Sequence, residues 1–272
     1  MERKVYIRAL SQLSRLNPDP DWKSMFSVME ARRLSLLMKR ALAVSRQTLS
    51  QAGIEVPQAV ITGTGLGCIE NTEKFLRPLA GLSDEPLRPT YFMQSTHNTI
   101  GSLIAISLGC HGYNATYSHG AVSFESALLD AFLQIASGEL DNALVGAFEE
   151  VTPEFAGLLA KTGWDGVTDP GDISWTAVSV LLSSSPEGAL CELSDVRLSA
   201  TGASAREGDP ASMRLTRGGV AARYGDNFSV SALGLCDAAG LLARCACRRV
   251  EVDSEIPGKS HSTISLTSVC GK

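Results

Sequence analysis

The sequence predicts an α/β protein, because segments with strand character alternate with amphipathic helices. The clearest unit runs from Gly109 to Glu149. Tyr113 to Ser118 has the alternation and the β-branched and aromatic content of a short strand, and apolar residues at helical spacing follow from Val122 to Ser137. Ala143 to Phe148 is a nearly unbroken run of small apolar residues, which is typical of a buried strand. This unit is therefore strand, tight turn, helix, strand.

Further predicted strands and helices precede this unit. The helices show apolar residues at intervals of three and four, and each ends at a glycine, Gly53 or Gly109. In chain order we predict a strand from Val5 to Leu10, a helix from Ala31 to Ala52, a buried strand from Pro57 to Thr62 and a helix from Thr96 to Leu108.

The second half of the chain carries weaker patterns. Ser174 to Ser183 is predicted as a strand, Asp226 to Cys247 as a helix region and Ser262 to Val269 as a final core strand.

Composition limits the classes of function. The chain has 272 residues, 44% apolar content and a net charge of −5, with no long block of like charge. These values predict a sizeable core and argue against a nucleic-acid or membrane surface. The N-terminus lacks the apolar core of a signal peptide, and no apolar run approaches 18 residues, so we expect a cytoplasmic protein without a membrane span.

The cysteines argue against a disulfide framework and against a zinc site. They are odd in number and form no C-x-x-C pair. We expect buried thiols in a reducing cytoplasm, and neither a metal nor a cofactor is predicted. The seven are Cys68, Cys110, Cys191, Cys236, Cys245, Cys247 and Cys270.

A glycine-rich turn, Gly63, Thr64, Gly65, Leu66 and Gly67, follows the predicted strand that ends at Thr62. Such a turn could cradle a pyrophosphate. A dinucleotide site usually also has an acidic residue closing the next strand about 20 residues further on. Here that region, residues 82–89, is a loop that contains proline, which disfavours nucleotide binding.

The turn from Ser118 to Ser123 lies between a strand and a helix N-terminus, where a nucleophile would be exposed and stabilised as an anion. At this point the chain resembles the β-ketoacyl synthase family. Its predicted helix ends in Gly138 and Glu139, and the strand that leads to Glu149 fits the family's A-L-V-G-G-V-E pattern. The same alignment places Ala121 where the family has its nucleophilic cysteine, and no cysteine lies between Cys110 and Cys191.

The resemblance extends over roughly residues 5–149. Asn98 and Gly101 match a family segment before the nucleophile strand, and Arg32, Arg33 and Ser35 match an R-R-x-S pattern of its chain-length-factor members. It implies that Gly63, Gly65 and Gly67 form a structural turn. It also implies a single thiolase-like domain over residues 1–272 with five layers, αβαβα. Residues 1–155 would form one half and residues 172–272 a compressed second half.

The chemistry of a condensing enzyme is missing at the matching positions. Decarboxylative condensation needs a thiolate for the acyl chain and two polarising groups, usually histidines. The family's H-G-T motif and its second histidine are both absent, and Asn227 or a neighbour occupies the second site. The simultaneous absence of all three groups indicates that the condensing activity has been lost.

His119 allows a different enzymatic interpretation. With Ser123 or Ser118 it could form a hydrolase-like pair. No G-x-S-x-G motif is present, and the simpler interpretation is that His119 is structural or lies at a subunit interface and that Ser123 caps the helix.

The resemblance implies a non-catalytic partner of an active ketosynthase, similar to the short chain-length-factor proteins of aryl-polyene and flexirubin-like clusters. The heterodimer would form through the strand from Tyr113, and an acyl carrier protein would deliver the substrates. Tyr117, His119, Val122 and Phe124 would then line the interface or the acyl tunnel. A stand-alone 3-oxoacyl-carrier-protein synthase or acyl hydrolase with a relocated nucleophile is the alternative, and a structural homodimer is the third hypothesis.

Overall fold

The computed structural model describes residues 3–163, 169–200, 212–256 and 259–269. Nine strands form one mixed sheet in the order β3-β2-β4-β5-β1-β6-β9-β8-β7. The strands are β1 Val5–Ser14, β2 Ala59–Gly63, β3 Tyr113–Tyr117, β4 Asn142–Glu149, β5 Thr176–Ser183, β6 Cys191–Ala200, β7 Met213–Thr216, β8 Arg249–Ile256 and β9 Ser260–Thr267.

The described residues also contain ten α-helices. They are α1 Trp22–Met25, α2 Val28–Ala31, α3 Leu36–Ala52, α4 Ile69–Leu79, α5 Pro89–Met93, α6 Thr99–Leu108, α7 Ser123–Ser137, α8 Pro153–Lys161, α9 Arg217–Tyr224 and α10 Val230–Ala243. Helices α3, α6 and α7 end at glycines in the left-handed conformation, as the sequence predicts for Gly53 and Gly109.

In the first half of the sheet, β2 is the strand that has a parallel neighbour on each side. β2 pairs in parallel with β3 on one side and with β4 on the other, whereas β4 and β5 are antiparallel. The strand β3 lies at the end of the sheet order, so its second edge is unpaired within the described residues. The carboxyl ends of β2 and β3 therefore lie side by side, and the turns that follow them meet.

The two halves of the sheet join only at β1. This strand pairs with β5 along its length, but with β6 only through Val5, Tyr6 and Ile7. The helices α7 and α10 lie between the two halves and form one apolar core with both of them, while α3 and α6 form a second core on the opposite face of the first half.

The outer face of the second half is polar. On β8, Val250 and Val252 face the core, whereas the alternate positions Glu251, Asp253 and Glu255 point the other way. In the described residues, the helices that contact this half, α7, α9 and α10, all share the inner core. The layers that the described residues form are thus helix, sheet, helix, sheet.

The expectation that all cysteines are thiols is wrong for Cys245. This residue is disulfide-bonded, and it is the one described residue other than glycine with a positive φ, 54°. Five other cysteines are free thiols, of which four are buried and Cys247 is partly exposed. Cys270 lies outside the described residues.

Within the described part of the chain, no helix is long and apolar enough to cross a membrane.

Candidate functional site at the turn between β3 and α7

The site begins with the turn that connects β3 to α7. Gly120 has a φ of +59°, and Gly120–Val122 forms one turn of 3-10 helix before α7 begins at Ser123. Ala121 lies in the middle of this turn and is 7% exposed. The position is the strand-to-helix junction that the sequence predicted for a nucleophile, but a methyl group occupies it.

Ser123 is fully used by the turn itself. Its hydroxyl donates to the carbonyl oxygen of Gly120 at 2.6 Å and accepts from the backbone N–H of His119 at 2.9 Å. The residue is 0% exposed. These contacts close the turn before the helix and leave the hydroxyl inaccessible to a substrate. The expectation that Ser123 caps the helix is wrong, because the N-cap is Val122 and no side-chain hydrogen bond caps the helix.

The ring of His119 contacts a serine that sequence reasoning missed. Its Nδ1 lies 3.1 Å from Oγ of Ser126, one helical turn into α7, and the Ser126 hydroxyl donates to the carbonyl of Val122 at 2.8 Å. Because that hydroxyl gives its hydrogen to Val122, it receives a hydrogen from Nδ1–H of His119. His119 is therefore a donor to Ser126 in this arrangement and does not activate it as a base would.

The remaining predicted interface residues divide into two groups. Tyr117 and Val122 are partly exposed, and the Tyr117 ring lies edge-on to the His119 ring, with 5.7 Å between centroids. Phe124 is 0% exposed and belongs to the core between the two halves of the sheet. The surface around the turn thus consists of Tyr117, His119 and Val122, while Phe124 packs behind it.

The glycine-rich turn after β2 lies against this junction. A Cβ at Gly63 would lie 2.4 Å from the carbonyl oxygen of Ser123, so only glycine allows the end of β2 to approach the start of α7 so closely. Both ends of the turn, Gly63 and Gly67, are buried, and this packing fixes the position of the turn.

The carboxylate of Glu149, at the end of β4, holds the rest of that turn. It accepts hydrogen bonds from the backbone N–H groups of Gly65 at 2.7 Å and Leu66 at 2.9 Å, and from the hydroxyl of Thr64 at 3.2 Å. These donors are the ones that a phosphate would need. Since a buried carboxylate already occupies them, the turn does not offer a phosphate cradle.

The loop before α10 completes the site. Asn227 is 0% exposed, and its side chain exchanges hydrogen bonds with the hydroxyl of Thr176 at 2.9 and 3.2 Å. The next residue, Phe228, packs against Gly65, where a Cβ would lie 2.6 Å from the ring. The sequence assigned Asn227 or a neighbour to the second polarising position, and in the structure the side chain of Asn227 is committed to Thr176.

Two adjacent glutamates carry the main electrostatic feature. Burial raises the pKa of Glu149 to about 7, although the N–H groups of Gly65 and Leu66 oppose the shift. Burial also raises the pKa of Glu150 to about 7, although the backbone N–H of Glu70 opposes the shift, and the charge of the Glu70 carboxylate adds to it. Neither carboxyl group was singled out from the sequence, because two acidic residues after a strand are common at the surface.

The nearest cysteine to this cluster is not a nucleophile. Cys68 is 0% exposed, and burial, together with Glu150 and Glu149, raises the pKa of its thiol. The nucleophilic form of cysteine is the thiolate, which this environment disfavours. In the ranges of the chain that the structure covers, no group of three His, Cys, Asp or Glu residues could hold a metal ion.

A family model described as the β-ketoacyl synthase N-terminal domain matches residues 8–215. A search of curated protein sequences finds no match.

Solved structures match over nearly the whole chain. The complex AntDE:AntF, a type II PKS acyl-carrier protein with its ketosynthase bound to the hexaketide, shares 14% identity, with a TM-score of 0.81 and coverage of 99% of this chain and 100% of the other. The ishigamide ketosynthase/chain length factor shares 15% identity, with a TM-score of 0.77 and coverage of 98% and 100%. The ketosynthase ApeO in complex with its chain length factor ApeC, from Xenorhabdus doucetiae, shares 14% identity, with a TM-score of 0.71 and 98% of both chains covered. At these identities the likeness concerns the fold, and it confirms the predicted thiolase-like α/β class.

Proposed function

This chain belongs to the β-ketoacyl synthase N-terminal domain family, and we propose that it is a subunit without condensing activity that pairs with an active ketosynthase. The system would be a type II fatty-acid or polyketide pathway of the aryl-polyene kind. The active partner would supply the cysteine, and an acyl carrier protein would deliver the substrates to the pair in the cytoplasm.

One observation carries this proposal. The strand-to-helix turn that would display the nucleophile is intact, yet it carries the methyl group of Ala121. The neighbouring hydroxyl groups offer no replacement, because Ser123 is buried and bonded to Gly120, and Ser126 donates to Val122. The fold of the site is retained while the reacting group is missing.

The second polarising position supports the same conclusion. A polarising group must donate to the developing enolate oxygen, and the Asn227 amide instead donates to Thr176 in the protein interior. A ketosynthase with a relocated nucleophile would still need such a donor. The stand-alone enzyme is therefore the weaker proposal.

The unpaired edge of β3 supports heterodimer formation. An exposed strand edge presents backbone donors and acceptors that another strand can satisfy. Tyr117 and His119 lie at the end of this strand and are exposed in part or whole, so they would meet the partner. The solved neighbours named as ketosynthase and chain length factor complexes are consistent with such pairing. With Phe124 in the core, we assign the contact with partner and acyl chain to Tyr117, His119 and Val122.

The sheet supports treating the chain as one domain. It joins strands from β1 near the N-terminus to β9 near the C-terminus, and the core between its halves draws on both. We therefore propose that residues 1–272 fold as a single thiolase-like domain.

The pairing is tested by co-expression with a candidate partner ketosynthase and affinity capture of this chain. Replacing Tyr117 by Asp places a charge at the proposed interface, and we expect the captured ketosynthase to fall at least about tenfold, because an unpaired charge is costly to bury. Tyr91→Asp is the matched control, since Tyr91 is also partly exposed but lies on α5, away from β3. Equal capture by the two variants would contradict the proposed interface.

A further inference from the structure

A second group of catalytic residue types lies far from the turn between β3 and α7, on the polar outer face of the second half of the sheet. It consists of Ser199 on β6, His261 on β9 and Asp253 on β8. The strands β6, β9 and β8 are neighbours, and Ser199 is directly opposite His261 in the register. The three side chains therefore form a row across adjacent strands in which Asp253, opposite Thr263 in the register, lies diagonal to His261.

The hydrogen bonds in this row have a defined direction. The Nε2 atom of His261 lies 2.7 Å from Oδ1 of Asp253, and the Nδ1 atom lies 3.3 Å from Oγ of Ser199. A carboxylate can only accept, so Nε2 carries the hydrogen and donates to Asp253. In the tautomer that carries its hydrogen only there, Nδ1 can accept from the serine hydroxyl, which also lies 3.5 Å from the carbonyl oxygen of His261. Carboxylate, imidazole and hydroxyl thus lie in the order that a serine hydrolase uses. The difference is that Nε2 faces the carboxylate here and Nδ1 faces the hydroxyl, whereas the usual triad has the reverse.

The carboxylate is held in place by a further contact. The hydroxyl of Thr263 donates to the same Oδ1 atom of Asp253 at 3.2 Å. This bond limits the rotation of the carboxylate and with it the plane of the imidazole. Orientation of the base by a third group is what separates an activated hydroxyl from an ordinary surface serine.

The row is also accessible. The side chains of His261 and Asp253 are 17% and 19% exposed, and Ser199 is partly exposed. No helix among the described residues covers this face of the sheet. A small acyl ester or thioester can reach the hydroxyl from solvent.

We propose that Ser199, His261 and Asp253 form a hydrolytic site for small activated acyl esters and thioesters, independent of the function proposed above. Oγ of Ser199 attacks the acyl carbon while Nδ1 of His261 takes the hydroxyl proton. The carbon–oxygen or carbon–sulfur bond then breaks, and the leaving alcohol or thiol receives that proton. Water attacks the acyl-serine with the same base, which releases the acid and restores the hydroxyl. Asp253 acts as a positioning residue.

The test uses the full chain with a fluorophosphonate, which phosphonylates an activated serine with loss of fluoride, followed by peptide mapping. We expect the label on Ser199 and none on Ser199→Ala. Hydrolysis of 4-nitrophenyl acetate should fall roughly a hundredfold in Ser199→Ala and in His261→Gln, the usual size of general-base assistance. Ser194→Ala is the control on the same strand, because the Ser194 hydroxyl donates to the backbone of Ser265 and has no imidazole partner.

Asp253 is tested by rescue. Asp253→Asn should slow labelling, and Asp253→Glu, which keeps the carboxylate, should restore part of the rate, whereas a purely structural role predicts no such rescue. Thermal unfolding of each variant establishes that it is folded. The proposal is overturned if folded wild-type protein takes no label at Ser199, or if His261→Gln is labelled as fast as wild type.

Discussion

The carboxylate of Glu149 accepts a hydrogen bond of 2.7 Å from the backbone N–H of Gly65, and this bond fixes the glycine-rich turn beside the start of α7. Two glycines and one buried glutamate hold this region together. Gly65 donates its N–H to Glu149 and packs against Phe228. Gly63 has no side chain and so leaves space for the carbonyl group of Ser123. The geometry of the turn that carries Ala121 depends on these contacts.

Replacing Gly63 by Ala should destabilise the fold. The added methyl would lie 2.4 Å from the Ser123 carbonyl oxygen, which is backbone and cannot turn aside. We expect a loss of about 2 kcal/mol or more in the free energy of unfolding, measured by denaturant titration. Gly157→Ala is the control, since its site in α8 has open space, and it should be neutral or stabilising by about 0.5–1 kcal/mol. Equal stability of both variants would mean that β2 does not approach α7 so closely.

The stability of the protein should fall as the pH rises from about 5 to about 8. The pKa of Glu150 is about 7 in the folded state, against 4.5 for an ordinary glutamate, so the folded state binds the proton more tightly than the unfolded state. The stabilisation is complete below pH 4.5 and is lost as the pH passes through 7. For a shift of this size the change is roughly 3 kcal/mol.

Glu150→Gln isolates this contribution. The amide retains an acceptor for the N–H of Glu70, which lies 3.1 Å from the Glu150 carboxylate, but it does not ionise. We expect its unfolding free energy to depend less steeply on pH than that of wild type, with Glu149 accounting for part of the remaining slope. Glu187→Gln, at an exposed position, should keep the wild-type slope. An unchanged slope in Glu150→Gln would show that this carboxyl group is ionised in the folded protein.

Restoring the thiol should not restore condensation. In Ala121→Cys the nucleophile returns to the strand-to-helix turn, but the Asn227 side chain remains bonded to Thr176 and cannot polarise the enolate. We expect the purified variant to form no β-ketoacyl product from acyl and malonyl carrier-protein thioesters, measured by mass spectrometry. The wild-type protein, which has alanine at this position, is the control. Product formation by the variant alone would show that one residue accounts for the missing activity.

The sequence predicts the regular elements that bury a continuous apolar face. The helices α3, α6 and α7 end at the glycines expected, and β3, β4 and β5 begin within two residues of their predicted starts. The hydrophobic periodicity of these elements and the glycines that end the helices are local features of the sequence, so they can be recognised without the structure. The helix predicted from Ala31 begins later, at Leu36, because Ser35 caps it and the short α2 precedes it.

The elements that the sequence did not reveal depend on non-local contacts. Strands β6 and β8 have only one buried face, and the acidic residues on their outer faces break the apolar pattern. The roles of Glu149, Asn227 and Ser126 likewise depend on partners that are distant in sequence or on the rotation of a helix. The positions of the turns could be predicted from the chain, but which hydroxyl bonds to which carbonyl could not.

We propose that this chain lacks condensing activity and that its partner carries the acyl group. The most direct measurement is reconstitution with acyl and malonyl carrier-protein thioesters, using this chain alone, the partner ketosynthase alone and the co-purified pair. Products are analysed, and hydroxylamine-labile thioesters are detected by intact mass. We predict that the pair forms β-ketoacyl product, that the thioester lies on the ketosynthase, and that this chain alone forms neither. A β-ketoacyl product or a cysteine thioester on this chain alone would contradict the claim.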